Sequence, residues 1–206
     1  MIDMNKTRCK IELFNMDCME AMKDMDDNQF DLAIVDPPYG IGNFVQSDKK
    51  HECKWNEEIP DKKYFIELSR VSKERIIWGA NYYNSFCKGG GIVWNKDNPH
   101  PSMSKCEIAS YSGQKKVDYY FKPHYGFVGK RRGFHPCEKP VDLYSWLLKN
   151  YAKEGDKILD THLGSGSISI ACYDVGFDLT GYEIDKDYYD AATKRLENHK
   201  KQGQLF

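Results

Sequence analysis

Apolar positions in this chain fall into short runs broken by polar, glycine or proline segments. Phe30 to Val35 (FDLAIV) is nearly continuous in apolar character, which predicts a strand buried on both faces. Lys10 to Met16 alternates loosely and reads as a strand ending near Asp17, and Cys18 to Met25 as a short helix. Asp61 to Val71 predicts a helix, because Tyr64, Phe65, Leu68 and Val71 share one face and Asp61 suits its N-cap. Arg75 to Trp78, Gly91 to Trp94 and Cys106 to Tyr111 are expected strands, with Lys88-Gly89-Gly90-Gly91 breaking the chain between the first two. Pro140 to Ala152 predicts a helix with Pro140 in its first turn. Lys157 to Leu159 predicts a buried strand, Ser165 to Val175 a helix stopped by Gly176, Phe177 to Tyr182 a strand, and Lys186 to Lys200 an amphipathic helix. Residues 41–60, 95–105 and 121–137 read as loops. Strands alternating with helices predict an α/β fold: a mostly parallel central sheet with helices on both faces.

The length of 206 residues suits a single domain over 1–206. Forty per cent hydrophobic and 30% charged residues fit a globular chain, and no apolar run approaches a membrane span. The N-terminal residues lack a signal-like apolar stretch, so the expected location is the cytoplasm. Seven scattered cysteines without a C-x-x-C pair fit reduced thiols. His51-x-Cys53 has no clear second pair, so no metal is expected. A net charge of -1 means that a nucleic-acid partner needs a local basic patch. Lys122 to Lys139 supplies one, with Lys122, Lys130, Arg131, Arg132 and Lys139 against Glu138 alone. By itself that segment also suits a solvated loop.

Two stretches carry candidate chemistry. Residues 157 to 185 read as strand, glycine turn, helix, strand and acid. Gly164 and Gly166 let the backbone pass close to a ligand, and Glu183 stands where a carboxylate reaches ribose hydroxyls. Ser169 occupies the third position of a G-x-G-x-x-G pattern, which disfavours a dinucleotide. Asp160, before the glycines, repels phosphates and attracts an ammonium or sulfonium. S-adenosylmethionine (SAM) combines a nucleoside with such a charge. The second stretch is Asp36-Pro37-Pro38-Tyr39, at the end of the buried strand. The prolines lack N–H groups and leave their carbonyls to accept, Asp36 accepts as well, and Tyr39 offers a flat face. Acceptors beside an aromatic ring suit a planar base with an exocyclic amine.

Together these residues resemble the SAM-dependent amino methyltransferases. Asp36-Pro37-Pro38-Tyr39 looks like their catalytic motif. Asp160 to Ser167 looks like their cofactor motif, with Thr161-His162 where Pro-Phe is usual. His135-Pro136-Cys137-Glu138-Lys139-Pro140 resembles the His-Pro-x-x-Lys-Pro element that helps hold the methionine end, and Asn15-Met16-Asp17-Cys18 the segment near the cofactor adenine. The catalytic motif comes first and the glycine motif last. This circularly permuted order is similar to the β-class DNA adenine-N6 methyltransferases, and it implies their Rossmann-like fold.

The resemblance further implies that Asp36, Pro37, Pro38 and Tyr39 are catalytic. It implies that Asp17, Cys18, Asp36, His135, Lys139, Pro140, Asp160, His162, Gly164, Ser165, Gly166 and Glu183 bind SAM. A base flipped from duplex DNA stacks on Tyr39 while Asp36 and the Pro37 carbonyl hold its amine. Cys137 and His162 read as packing residues. Lys130, Arg131 and Arg132 are expected to neutralise DNA phosphates, and residues 41–58 and 95–134 are candidate target-recognition loops. Pairing with a second copy is a further expectation. The terminal Gln202-x-x-Leu205-Phe206 is similar to peptides that bind the bacterial replication sliding clamp. The rival readings are cytosine-N4 methylation, RNA or protein-glutamine methylation, a non-catalytic SAM- or DNA-binding regulator, and a NAD-dependent reductase.

Overall fold

The computed structural model describes residues 9–42, 58–83, 89–98, 104–123 and 138–203. Its centre is an eight-stranded sheet of β1 (Ile11–Asn15), β2 (Phe30–Val35), β3 (Ser72–Trp78), β4 (Gly90–Asn95), β5 (Cys106–Tyr111), β6 (Val117–Phe121), β7 (Lys157–Asp160) and β8 (Asp178–Glu183). The order across the sheet is β1-β8-β7-β2-β3-β5-β4-β6. Among the described strands only β5 runs against its neighbours, pairing antiparallel with both β3 and β4. The helices are α1 (Cys18–Lys23), α2 (Lys62–Val71), α3 (Ala80–Tyr83), α4 (Val141–Tyr151), α5 (Ser167–Val175) and α6 (Lys186–Gly203). Among the described residues no helix is long and apolar enough to cross a membrane.

Burial on both faces explains why the central strands read as continuous apolar runs. Leu32 and Ile34 of β2 join a core with Leu143, Leu147 and Leu148 of α4 and Ile168, Ala171 and Cys172 of α5. Ala33 and Val35 point the other way, into a core with Met22 of α1 and Phe65, Leu68 and Val71 of α2. β7 divides in the same manner, Ile158 to the first core and Leu159 to the second. The expected α/β architecture is therefore the observed one.

Local chemistry sets the helix ends. The Asp61 side chain caps α2 by accepting from the Lys63 N–H. Gly176 closes α5 in the left-handed region, its N–H donating to Cys172 O at 2.8 Å. α5 starts at Ser167 rather than Ser165, because Gly166 is itself left-handed at the N-cap. Pro140 stands at the N-cap of α4 rather than inside its first turn.

Two elements escaped the sequence reading. α3 is a single turn after Gly79. β6 is an edge strand with its pattern inverted: Val117, Tyr119 and Phe121 are exposed, whereas Asp118 accepts hydrogen bonds from Tyr151 and Gln114.

Candidate active site

In an open α/β sheet, ligands bind beyond the carboxyl ends of the strands, where successive connections leave in opposite directions. Here that point lies between β7 and β2, because β7 leads through α5 to β8 on one side and β2 through α2 to β3 on the other. Asp160 ends β7, and Asp36 directly follows β2. Glu183 ends the neighbouring β8, and Asn15 ends β1. Four separated segments of sequence thus reach one edge of the sheet.

The Asp-Pro-Pro-Tyr turn is held from several sides. Tyr39 OH donates to Asp36 Oδ1 at 2.5 Å, and Lys139 Nζ pairs with Asp36 Oδ2. Tyr83 OH lies 2.6 Å from the Pro37 carbonyl and 2.8 Å from that of Pro38. The proline carbonyls, expected to be open, therefore already meet a donor. The Tyr39 ring stacks on Tyr82, with centroids 5.0 Å apart and planes 16° from parallel. Gly79, at φ +77°, makes room for that ring, since a Cβ there would lie 2.3 Å from Tyr39 Cε1. Burial, with Asp36 and Glu107 nearby, raises the Tyr39 hydroxyl well above its ordinary pKa, so it stays protonated and able to donate.

Lys139, expected to help hold the methionine end of a cofactor, stands against the Asp-Pro-Pro-Tyr turn. Its ammonium is buried against Asp36, lies 3.2 Å from Tyr39 OH and 3.1 Å from Glu107 Oε2, and faces the rings of Trp78 and Tyr39. Lys96 Nζ meets the other oxygen of Glu107 at 2.8 Å. β5 is antiparallel, so its first residues lie at the carboxyl edge of β3, which brings Glu107 to the site. Burial pushes the Glu107 carboxyl up, but Lys139 and Lys96 outweigh it and hold it down to about 2. Burial also opposes the Lys139 charge, and Asp36 with Glu107 more than restores it. Desolvation leaves Asp36 above its ordinary pKa despite Lys139.

On the β7 side, burial lifts Asp160 to about 8, opposed by the His162 N–H that donates to Oδ1 at 3.0 Å. A buried carboxylate with this little compensation suits a cationic group. Gly164 and Gly166 both have positive φ. Glu183 clamps the turn, Oε2 accepting from Gly164 N at 2.8 Å and Oε1 from Asp185 N at 2.9 Å. Arg195 also holds it, donating to Ser165 O at 2.9 Å and pairing with Glu138 Oε1 at 2.7 Å. His162 is packed edge-on to Tyr64, and burial lowers it to about 4, so the ring is neutral. Asp17 caps α1 by accepting from Met19 N at 2.7 Å. Burial and then Asp17 push the Cys18 thiol up to about 12, which makes it inert. The donor set as a whole fits a nucleoside that carries a positive charge.

The structure thus gathers Asp36, Pro37, Pro38, Tyr39 and Lys139 at the end of β2, and Asp160, His162, Gly164, Ser165, Gly166 and Glu183 beside β7 and β8, with Asp17 and Cys18 at the start of α1. Pro140 caps α4, and Gln202 is exposed near the end of α6. Lys130, Arg131, Arg132, His135, Leu205 and Phe206 lie outside the described residues, as do most of 41–58 and parts of 95–134. Tyr82, Tyr83, Glu107, Lys96 and Arg195 were not anticipated. One signal was available for Glu107: an acid inside an otherwise apolar strand needs a buried partner.

The DNA methylase family N6_N4_Mtase matches residues 82–194, which include the glycine turn and Lys139 but not Asp36 to Tyr39. The type II methyltransferase M2.MboI of Moraxella bovis is 25% identical, covering 89% of this chain and 86% of that protein. The M1.HpyAVI–SAM complex superposes with a TM-score of 0.63 at 20% identity, over 90% of this chain and 98% of that one. The cytosine-N4-specific PvuII DNA methyltransferase superposes with a TM-score of 0.62 at 9% identity, over 94% of this chain and 92% of that one. With more than half of its length matched, this chain belongs to the N6/N4 DNA methylase family.

Proposed function

We propose that this chain transfers a methyl group from SAM to the exocyclic N6 amine of an adenine flipped out of double-stranded DNA, acting in the cytoplasm. The observation that carries the reading is the placement of Asp36, with its Pro-Pro-Tyr turn, beside the buried Asp160 at the switch point of a DNA methylase fold. SAM supplies an electrophilic methyl on a positively charged sulfur. Asp160 attracts that charge, and the Gly164–Gly166 turn lets the backbone approach the ligand. Glu183, now on the turn's amides, has lone pairs left for ribose hydroxyls. Asp36 exchanges the Tyr39 hydroxyl for an amine N–H, and the Pro37 carbonyl accepts a second with its remaining lone pair. The ring of Tyr39 supports the base, and orientation of the amine supplies much of the rate. Asp36 favours adenine over cytosine, where the family's usual residue is Ser. The fold shared with a cytosine-N4 enzyme keeps that base as the second reading.

Three further parts belong to this proposal. Lys130, Arg131 and Arg132 neutralise phosphates, giving affinity that falls with salt. A second copy pairs with the chain, a reading supported by the exposed apolar side chains of Val117, Tyr119 and Phe121 on edge strand β6. The Gln202-x-x-Leu205-Phe206 tail binds a sliding clamp. A chain lacking residues 202–206 is then expected to keep methylation and lose clamp binding, and equal binding of purified clamp by both forms would refute that part.

Asp36→Ala separates an enzyme from a silent binder. The expected result is loss of methyl transfer by about 100-fold or more, as for removal of a group that acts in the transition state. DNA binding, read by calorimetry, is expected to persist. Undiminished transfer by this variant would remove Asp36 from the mechanism.

A further inference from the structure

We infer that Glu107 is a positioning residue: it shares the Lys139 ammonium, so that Asp36 keeps net negative charge for the incoming amine. The inference rests on the methyl-transfer reading above. An amine that gains a methyl group also gains positive charge. A carboxylate at hydrogen-bond distance stabilises that charge only as far as its own charge is not taken up by another cation. Lys139, with its side chain only 3% exposed, is such a cation, and water does little to screen it. Alone it would form a closed pair with Asp36. The structure instead places a second carboxylate on it, Glu107 Oε2 at 3.1 Å. The Lys139 charge is thereby divided between two carboxylates, and Asp36, at the end of this row and first in the Asp-Pro-Pro-Tyr turn, is neutralised less than it would be in a closed pair. Lys96 holds the far oxygen of Glu107 at 2.8 Å and so turns the near one toward Lys139. A buried ion pair kept only for stability has no need of this second acid, because such pairs stabilise little in net terms.

The test compares Glu107→Gln with Glu107→Asp in the full chain, with folding checked by circular dichroism. The first readout needs no turnover: carbon NMR titration of the Asp36 carboxyl in the ligand-free protein. Loss of the like charge, with Lys139 then facing Asp36 alone, is expected to lower its midpoint in Glu107→Gln by about one pH unit, a usual size for one nearby charge. The second readout is kinetic. kcat is expected to fall about tenfold with KM for SAM and DNA nearly unchanged, the split that marks an effect confined to the transition state. Glu107→Asp is expected to restore most of both. A folded Glu107→Gln protein with an unmoved Asp36 midpoint and wild-type kcat would overturn the inference. If the wild-type chain transfers no methyl group, the enzymatic reading fails, and the Asp36 titration still decides whether Glu107 sets its charge. Should Glu107→Gln not fold, Lys96→Met reads the same row of charges with opposite sign. Asp36 then titrates at higher pH, and no movement would overturn the inference.

Discussion

Burial at the switch point acts on two neighbouring side chains with opposite consequences in pH. Asp160 is lifted from an ordinary 3.8 to about 8, so the folded chain binds a proton there that the unfolded chain releases. Its contribution to stability is complete at low pH and is lost as pH rises through about 8. His162 is lowered from 6.5 to about 4, so its contribution is present above its ordinary value and is lost as pH falls toward 4. Asp160→Asn is therefore expected to raise the melting temperature above about pH 8 while weakening SAM binding about tenfold, the scale of one lost charge contact. A variant that melts like wild type at high pH, or binds SAM equally well, would contradict this. His162→Phe, which restores the residue usual in the resembling motif, is expected to stabilise the fold near pH 5 and do little near pH 8, as thermal melts at the two pH values would show. Asp36, Tyr39 and Asp160 were legible in the sequence because each follows an apolar run at a strand end. Glu107 and Tyr83 were not, because their roles depend on β5 and α3 meeting the end of β2 in space.

Turns fix the site more tightly than the regular elements do. Gly79 sits at φ +77° between β3 and α3 and lets the Tyr39 ring pass. Gly79→Ala is expected to push that ring aside, cutting methyl transfer at least tenfold while SAM affinity holds, because misplacement by about 1 Å is costly to rate. Unchanged transfer would show that the Tyr39 position is not critical. Gly166 sits at φ +70°, with the Cβ of Ala192 2.8 Å from where its own would be. Gly166→Ala is expected to cost about 1–3 kcal/mol in denaturant unfolding, from left-handed strain and from crowding of α6. A midpoint equal to wild type would contradict it. The central strands were readable because both of their faces are buried. β6 was not, because the apolar side chains of Val117, Tyr119 and Phe121 face outward and the polar Asp118 faces in. Alternation read from sequence assigns the apolar face to the core, and an edge strand need not obey that.

Across the whole molecule, the order of motifs along the chain and the order of strands across the sheet tell one story. The Asp-Pro-Pro-Tyr turn comes early and the glycine turn late, yet β2 and β7 lie side by side. Their pairing brings Asp36 near enough to Asp160 for its charge to be among the causes that raise the Asp160 carboxyl, after burial. The sequence order therefore mattered less to the site than strand adjacency, which only the resemblance anticipated. The measurement that bears most directly on this account is transfer of labelled methyl from SAM to unmethylated duplex DNA, followed by nucleoside digestion and mass spectrometry. Label is expected in N6-methyladenine. Label in N4-methylcytosine would keep the mechanism and overturn the base, and absence of any methylated nucleoside with SAM bound would contradict the enzymatic reading itself.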